Sequence, residues 1–265
     1  MTVKNSEGNS LSLPERHARI LEILHNKGSV SVSVLSEVLK VSEVTIRKDL
    51  SFLEEQKKLF RAHGSAILIS PYITDRHVNE KEKHNVTEKR GIGISAASLI
   101  TEEDSIIIAS GTTMLFFARE IMPKGRLTVI TSAVPVTSIL SQNNNIDVVQ
   151  LGGVVRNSSV SVVGYFAEDQ LQSFTCSKLY LGVDGFDLDF GLTTSNMMEA
   201  KLNRVMMGAA QKTVVLTDSS KFGRRGFSKI CDIEEVDQII TDNGIPPRYL
   251  SELRDRGVEV TIVDA

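Results

Sequence analysis

Val41-Ser42-Glu43-Val44-Thr45-Ile46-Arg47-Lys48-Asp49-Leu50-Ser51-Phe52-Leu53-Glu54-Glu55-Gln56 decides how the first quarter of the chain is read. Ser42 is a helix-capping residue type. Ile46, Leu50 and Leu53 recur at i, i+4 and i+7, so the stretch predicts a helix over Glu43–Gln56 with one buried stripe. The opposite face offers Val44, Thr45, Arg47, Lys48 and Ser51, with Ser42 at the start. A helix lying in a DNA groove needs cations for phosphates, hydroxyls for base edges and a small apolar group for a thymine methyl. These side chains supply all three.

The flanks agree with that reading. Ser12-Leu13-Pro14-Glu15 is a capping box with Pro in the first turn, so a helix starts there, with Ile20, Ile23 and Leu24 inward and Gly28 after its end. A second short helix starts at Ser31, with Val34, Leu35, Val38 and Leu39 expected to face inward, and Lys40-Val41 turns into the third. Two short helices, a tight turn and a cationic helix make a helix-turn-helix. Downstream, Leu59-Phe60-Arg61-Ala62-His63-Gly64-Ser65-Ala66-Ile67-Leu68 predicts a β-ribbon turning near His63-Gly64. Arg61 and His63 would project from this wing towards the DNA backbone or minor groove. The expected DNA-binding domain is 12–70, after a polar tail over 1–11.

Composition bounds the rest. The chain has 265 residues, 41% hydrophobic and 24% charged, enough for two domains with real cores. No run approaches the ~18 apolar residues of a membrane helix. Met1–Ser10 lacks an apolar signal region, and Cys176 and Cys231 are far apart, which together suggest a reducing compartment, the cytoplasm. The net charge of −3 argues weakly against a nucleic-acid binder, but residues 1–64 carry +2 and the remainder −5. The five histidines, His17, His25, His63, His77 and His84, have no metal-ligand spacing, and no cofactor is expected. Arg76 to Arg90 is almost continuously charged or polar and reads as a solvated linker running into a helix, with the linker bounded at 71–89.

Beyond it, strands and helices alternate. Expected strands are Ser105–Ala109, Leu127–Thr131, Ile146–Leu151, Lys178–Val183, Thr213–Thr217, Gln238–Thr241 and Glu259–Val263. Expected helices are Thr112–Ile121, Val134–Ser141, Tyr165–Gln172, Ser195–Ala210 and Pro247–Arg256. Consecutive apolar β-branched residues fit strands buried on both faces. The alternation predicts a doubly wound, mostly parallel α/β domain over 90–265, with ligands outside the C-terminal strand ends.

The order of motifs is also informative. Arg16-His17-Ala18-Arg19-Ile20, Val44-Thr45-Ile46-Arg47-Lys48-Asp49-Leu50, Arg61-Ala62-His63-Gly64-Ser65-Ala66, Glu88-Lys89-Arg90, Ser110-Gly111-Thr112-Thr113, Gly152-Gly153, Gly182-Val183-Asp184-Gly185, Glu199-Ala200-Lys201, Asp218-Ser219-Ser220-Lys221-Phe222 and Ile240-Thr241-Asp242 run the length of the chain. Together they resemble the DeoR-type transcriptional regulators. The resemblance implies a winged helix-turn-helix joined to a sensor domain related in fold to sugar-phosphate isomerases. It implies double-stranded operator DNA and a phosphorylated sugar effector as partners, repression of carbohydrate uptake or catabolism genes, a homo-oligomer and no membrane. Ser65, Lys81, Ser110 and Thr131-Ser132-Ala133 depart from the family's commoner residues, and no glycine precedes the wing in Gln56-Lys57-Lys58-Leu59.

Candidate effector contacts follow. Ser110, Gly111, Thr112 and Thr113 open a helix, where free N–H groups and hydroxyls attract phosphate. Thr131, Ser132, Gly152 and Gly153 end two further strands expected to converge on the same crevice. Asp184 suits sugar hydroxyls and Lys221 a phosphate countercharge; the resemblance adds Glu199 and Lys201. Arg224 and Arg225 read as solvated cations. The alternative is an isomerase with Glu199 as its base, but Leu188–Met198 has no lysine where the isomerase pattern places one.

Overall fold

The computed structural model describes residues 11–264 apart from Gly28, Lys57, His63, Gly64, residues 69–76 and Glu103. The chain divides into two compact units, Met1–Ser70 and Pro71–Ala265.

In the first unit α1 (Leu13–Lys27), β1 (Ser29–Ser31), α2 (Val32–Leu39) and α3 (Glu43–Glu55) are followed by β2 (Leu59–Ala62) and β3 (Ser65–Leu68). The strands form an antiparallel sheet in the order β1-β3-β2. Ser31 caps α2 by accepting the Val34 amide, and Ser42 caps α3 by accepting the Thr45 amide. Between them Lys40 takes a left-handed conformation at φ 54°, and the Lys40 and Val41 amides both donate to the Ser36 carbonyl, which turns the chain sharply. Ile20, Leu24, Leu35, Leu39, Ile46, Leu50 and Leu53 share one core. Val34 and Val38 do not join it, contrary to the sequence expectation. The helix begins at Val32, so its buried stripe is Val32, Leu35 and Leu39, and Val34 and Val38 face solvent.

The second unit opens with α4 (Val78–Glu82) and α5 (Val86–Ala97). It continues with β4 (Ser105–Ile108), α6 (Thr112–Glu120), β5 (Leu127–Thr131), α7 (Val134–Leu140), β6 (Ile146–Gln150), β7 (Val154–Arg156), β8 (Ser161–Val163) and α8 (Tyr165–Leu171). Then come β9 (Cys176–Leu181), β10 (Gly185–Asp187), β11 (Gly191–Thr194), α9 (Met197–Gly208), β12 (Ala210–Leu216), β13 (Ser228–Cys231), β14 (Gln238–Asp242), α10 (Pro247–Asp255) and β15 (Glu259–Val263). Seven parallel strands run in the order β15-β14-β12-β9-β4-β5-β6. Successive strand residues serve opposite faces: Ile107, Leu179 and Val215 enter one core, Ile106, Ile108, Tyr180 and Val214 the other. This is the doubly wound α/β architecture that the alternating sequence predicts.

The charged stretch before α5 differs from its sequence reading. Residues 77–90 are not a solvated linker: Val78–Glu82 is helical, and Lys89 is buried, its ammonium donating to the Lys81 carbonyl at 2.7 Å and the His84 carbonyl at 2.5 Å. Burial pushes the Lys89 ammonium down to about 8, with Asp218 opposing the shift. A run of charged letters hides one side chain that neutralises carbonyls at a helix end. Two small antiparallel sheets, β10-β11-β13 and β7-β8, also go beyond the sequence reading. Their strands are three or four residues long, too short to establish a period of two.

Candidate functional site

The exposed face of α3 assembles as the sequence implies. Val44, Arg47 and Lys48 are exposed, Thr45 and Ser51 half-buried. Ser42 is committed to capping and shares a 2.9 Å hydroxyl contact with Thr45. Arg47 Nη2 reaches Glu43 at 2.9 Å one turn earlier, an exposed pair that water screens, so the guanidinium stays available to a phosphate. Ser51 Oγ donates to the Arg47 carbonyl at 2.8 Å. Arg61 lies in β2 opposite Ala66, and His63 lies outside the described residues.

What the sequence did not reveal is how α3 is held. Asp49, on the helix's inner side, is buried and accepts Arg16 Nε at 2.6 Å, Arg16 Nη2 at 2.9 Å and His17 Nε2 at 3.1 Å. Burial raises the Asp49 carboxyl, but the Arg16 and His17 contacts outweigh it and hold the group below its ordinary value. His17 also stacks on Phe52 of α3, with ring centroids 5.2 Å apart. Thus α1 clamps α3 through polar groups as well as through the apolar core.

In the second unit the strand order reverses between β4 and β9, the place where doubly wound sheets bind ligands. An open cleft of about 660 Å³ lies there, lined by Ser110–Thr113 after β4, Gly182–Asp184 after β9, Thr194, Ser195, Glu199 and Asn203, Lys221 after β12, Val78 and Lys81 of α4, and Ser158 and Ser159. Gly111 has φ +129°, and a Cβ there would meet nothing, so the backbone stays open where α6 begins. No side chain caps α6, which leaves its first N–H groups free of a side-chain partner beside the Thr112 and Thr113 hydroxyls.

Charge in the cleft is arranged in pairs. Lys81 Nζ sits 2.7 Å from Asp184 Oδ1, while Asp184 Oδ2 accepts the Ser195 amide at 3.0 Å and the Thr194 hydroxyl at 3.2 Å. Burial raises Asp184, yet Lys81, and Lys221 beyond it, hold the carboxyl at about 2. Glu199 meets Arg156 Nη1 at 2.5 Å and accepts the Thr194 hydroxyl at 3.3 Å. Asp218 is buried and accepts the Asn85 side-chain amide at 2.8 Å and the Ser220 amide at 3.1 Å. Lys221 differs: among the described residues it makes no ion pair within 4.0 Å, and its charge acts on both Asp184 and Asp218.

Ser110, Gly111, Thr112, Thr113, Asp184, Glu199 and Lys221 therefore meet in one cleft, and the other expected contacts do not. Thr131 is buried, donating to the Ile108 carbonyl at 2.7 Å and accepting the Ala133 amide at 3.1 Å, which ties the end of β5 to β4. Ser132 is buried and its carbonyl accepts the Val162 amide at 2.8 Å. The Gly152 amide donates to the Gln170 side chain, and a Cβ on Gly153, at φ +147°, would stand 2.8 Å from Val162. Both glycines follow β6, two strands from the reversal at ~4.8 Å per strand, so their signal is one of close packing. Lys201 points out of the cleft and pairs with Glu168 at 2.7 Å, because residues two apart on a helix face opposite ways. Arg225 is no solvated cation: it pairs with buried Asp187 at 2.8 Å.

Sequence reasoning missed Lys81, Arg156, Ser158 and Ser159. Lys81 carried a signal, since it stands where the resemblance expects arginine, but it lay inside a charged run. Arg156 sits on a three-residue strand that no pattern announces.

Known proteins match both units in sequence. Residues 16–72 match the DeoR-like helix-turn-helix domain, and residues 84–243 match the DeoR C terminal sensor domain. The uncharacterized HTH-type transcriptional regulator YulB of Bacillus subtilis is 38% identical over 249 residues, which are 94% of this chain and 96% of that protein. The putative aga operon transcriptional repressor of Escherichia coli O157:H7 is 39% identical over 252 residues, 94% of this chain and 93% of that one. The lactose phosphotransferase system repressor of Staphylococcus epidermidis is 33% identical over 233 residues, 86% and 92% of the two chains. A capped, cation-bearing third helix, a sensor domain with its cleft at the strand reversal, and relatives matched over nearly their whole length all agree, and the chain belongs to the DeoR family of transcriptional regulators.

Proposed function

We propose that this chain is a cytoplasmic homo-oligomeric repressor of carbohydrate genes, whose grip on operator DNA changes when a phosphorylated sugar occupies the cleft of the second unit. The observation that carries the reading is Lys221, a cation without an ion-pair partner among the described residues, in a cleft that also offers the uncapped start of α6. A phosphate between them gains charge-assisted hydrogen bonds that no carboxylate among the described residues already takes. Asp184, Glu199 and Thr194 bring carboxylate and hydroxyl oxygens to the same cleft. The relatives named as aga operon and lactose phosphotransferase system repressors support the carbohydrate assignment.

Lys81 gives the cleft a way to respond. It belongs to α4, the first described helix of the second unit, and Asp184 holds it. An entering phosphate competes with Asp184 for that ammonium. The effector shifts the protein between states only by its difference in affinity for them. The isomerase alternative gains nothing from the geometry, since the Glu199 carboxylate is engaged by Arg156 rather than poised as a base.

The test is calorimetric titration of the full chain with a panel of hexose, pentose and triose phosphates. At least one is expected to bind, and Lys221→Ala is expected to weaken it by about 10- to 100-fold, the value of a charge-assisted contact. Lys201→Ala should change its affinity less than twofold. If no sugar phosphate binds, or if Lys221→Ala binds as tightly as the native chain, the assignment is wrong.

A further inference from the structure

Arg156 does not line the cleft, yet it holds Glu199, Ser158 and Ser159, which do. Its side chain leaves the short strand β7 largely buried. Nη1 lies 2.5 Å from Glu199 Oε1 and donates to Ser159 Oγ at 3.3 Å, and Nη2 donates to Ser158 Oγ at 2.9 Å. A guanidinium offers its donors in a rigid fork, so these contacts fix one carboxylate and two hydroxyls relative to each other. Ser159 Oγ lies a further 2.8 Å from Ser161 Oγ, which extends the row of hydroxyls inward.

Glu199 is divided by this arrangement. Its Oε1 takes Arg156 and, at longer range, the Ser110 hydroxyl at 3.4 Å and the Ser161 hydroxyl at 3.5 Å. Its Oε2 accepts the Thr194 hydroxyl at 3.3 Å and no other group among the described residues. A carboxylate oxygen carries two lone pairs, so Oε2 keeps room for a hydroxyl donor from a ligand. The turn between β7 and β8 is also held in one conformation. Val160, a β-branched residue, stands at φ 48° in the left-handed region that such residues avoid, and its carbonyl accepts the Val134 amide at 3.1 Å. Strain of this kind persists where the surroundings over-determine the backbone, and the grip of Arg156 on Ser158 and Ser159 is one such restraint. The Ser158 carbonyl accepts the Val78 amide at 2.7 Å, which ties the turn to α4, the helix that carries Lys81.

We propose that Arg156 is a positioning residue that sets which sugar the cleft accepts. It aligns Glu199 Oε2 with the Ser158 and Ser159 hydroxyls as one polar wall for the hydroxylated part of the ligand, and leaves the phosphate to Lys221 and the start of α6. The proposal rests on the reading of the cleft as a sugar-phosphate site and adds the source of its selectivity. Arg156 acts through the groups it holds: a sugar whose hydroxyls match the wall gains from it, and a bare phosphate does not.

Calorimetric titration of the full chain with inorganic phosphate and with the panel of hexose, pentose and triose phosphates tests this. Arg156→Gln is expected to weaken the tightest sugar phosphate of the panel by about 10- to 100-fold and to narrow the spread of affinities across the panel, while inorganic phosphate changes by less than about twofold. Arg156→Lys keeps a charge beside Glu199 without the fork, so it should recover part of the affinity and none of the spread. Loss of the guanidinium leaves a buried carboxylate unpaired, so melting temperatures check that Arg156→Gln folds. Where it does not, Arg156→Lys and the double variant Ser158→Ala, Ser159→Ala take its place; the double variant removes two hydroxyls and no charge and should weaken sugar phosphates selectively, by about 3- to 10-fold. If the folded variants bind the whole panel as the native chain does, or weaken every member and inorganic phosphate by the same factor, the role of Arg156 is overturned and the sugar-phosphate reading stands. If no sugar phosphate binds the native chain, both fail.

Discussion

Replacing Arg47 and Lys48 together by alanine is expected to weaken operator binding by about two orders of magnitude near 0.1 M salt and to lower the slope of log K against log salt by roughly 2. Both side chains are exposed on α3, and the helix backbone does not need them. Each cation that meets a phosphate releases condensed counterions, contributing ~0.9 to the slope, so the slope counts contacts independently of how the affinity is divided. The loss of the exposed Arg47–Glu43 pair costs little stability, so a folded variant is obtained. Anisotropy titrations against an operator selected from random duplexes, at 50–200 mM salt, supply both numbers. An unchanged slope would remove the two residues from the interface.

Asp49→Ala is expected to destabilise the first unit by about 3 kcal/mol, the scale for breaking a buried ion pair while leaving its partner behind. Arg16 is largely buried against Asp49, and His17 loses the same acceptor. For a unit of about 60 residues that is a large part of a stability of a few kcal/mol, and the melting temperature should fall by roughly 10–20 °C. The effect depends on pH in a fixed sense. Arg16 and His17 keep the Asp49 carboxyl below its ordinary value of 3.8, so its contribution is complete above that value and is lost as pH falls through the lower folded-state value. The gap between native and Asp49→Ala melting temperatures should therefore be constant at pH 5 to 7 and shrink below about 4. A gap independent of pH down to 2.5 would show that the carboxylate's charge does not hold α1 to α3.

Periodicity decided what was legible in the sequence. The Ile46, Leu50 and Leu53 stripe and the apolar strands such as Ile106-Ile107-Ile108 are set by the need to bury one face or two, and a linear pattern reports that directly. Capping was equally visible, because Ser31 and Ser42 each act on an amide three residues away. The site was half legible. Ser110–Thr113 and Asp184 follow β4 and β9, which meet at the strand reversal, and Lys221 follows β12 beside β9, whereas Gly152 follows β6, two strands from the reversal. Thr131 ends β5, as near the reversal as β12, but its hydroxyl turns into the sheet to the Ile108 carbonyl; neither strand order nor side-chain direction is recorded in a local stretch. Lys81 and Lys89 were misread because a charged residue in a charged neighbourhood looks solvated until the fold gives it a partner: Asp184, 103 residues away, for Lys81, and the Lys81 and His84 carbonyls for Lys89.

The central claim is that α3 grips DNA and that the cleft beside Lys221 governs the grip. Operator affinity of the full chain, measured at fixed salt with and without the sugar phosphate that calorimetry identifies, tests it most directly. The account predicts a shift of about 5- to 150-fold on saturation, the range of ordinary coupling energies, and its disappearance in Lys221→Ala, which should still bind the operator like the native chain. Operator affinity that stays the same with the cleft filled and empty would contradict it.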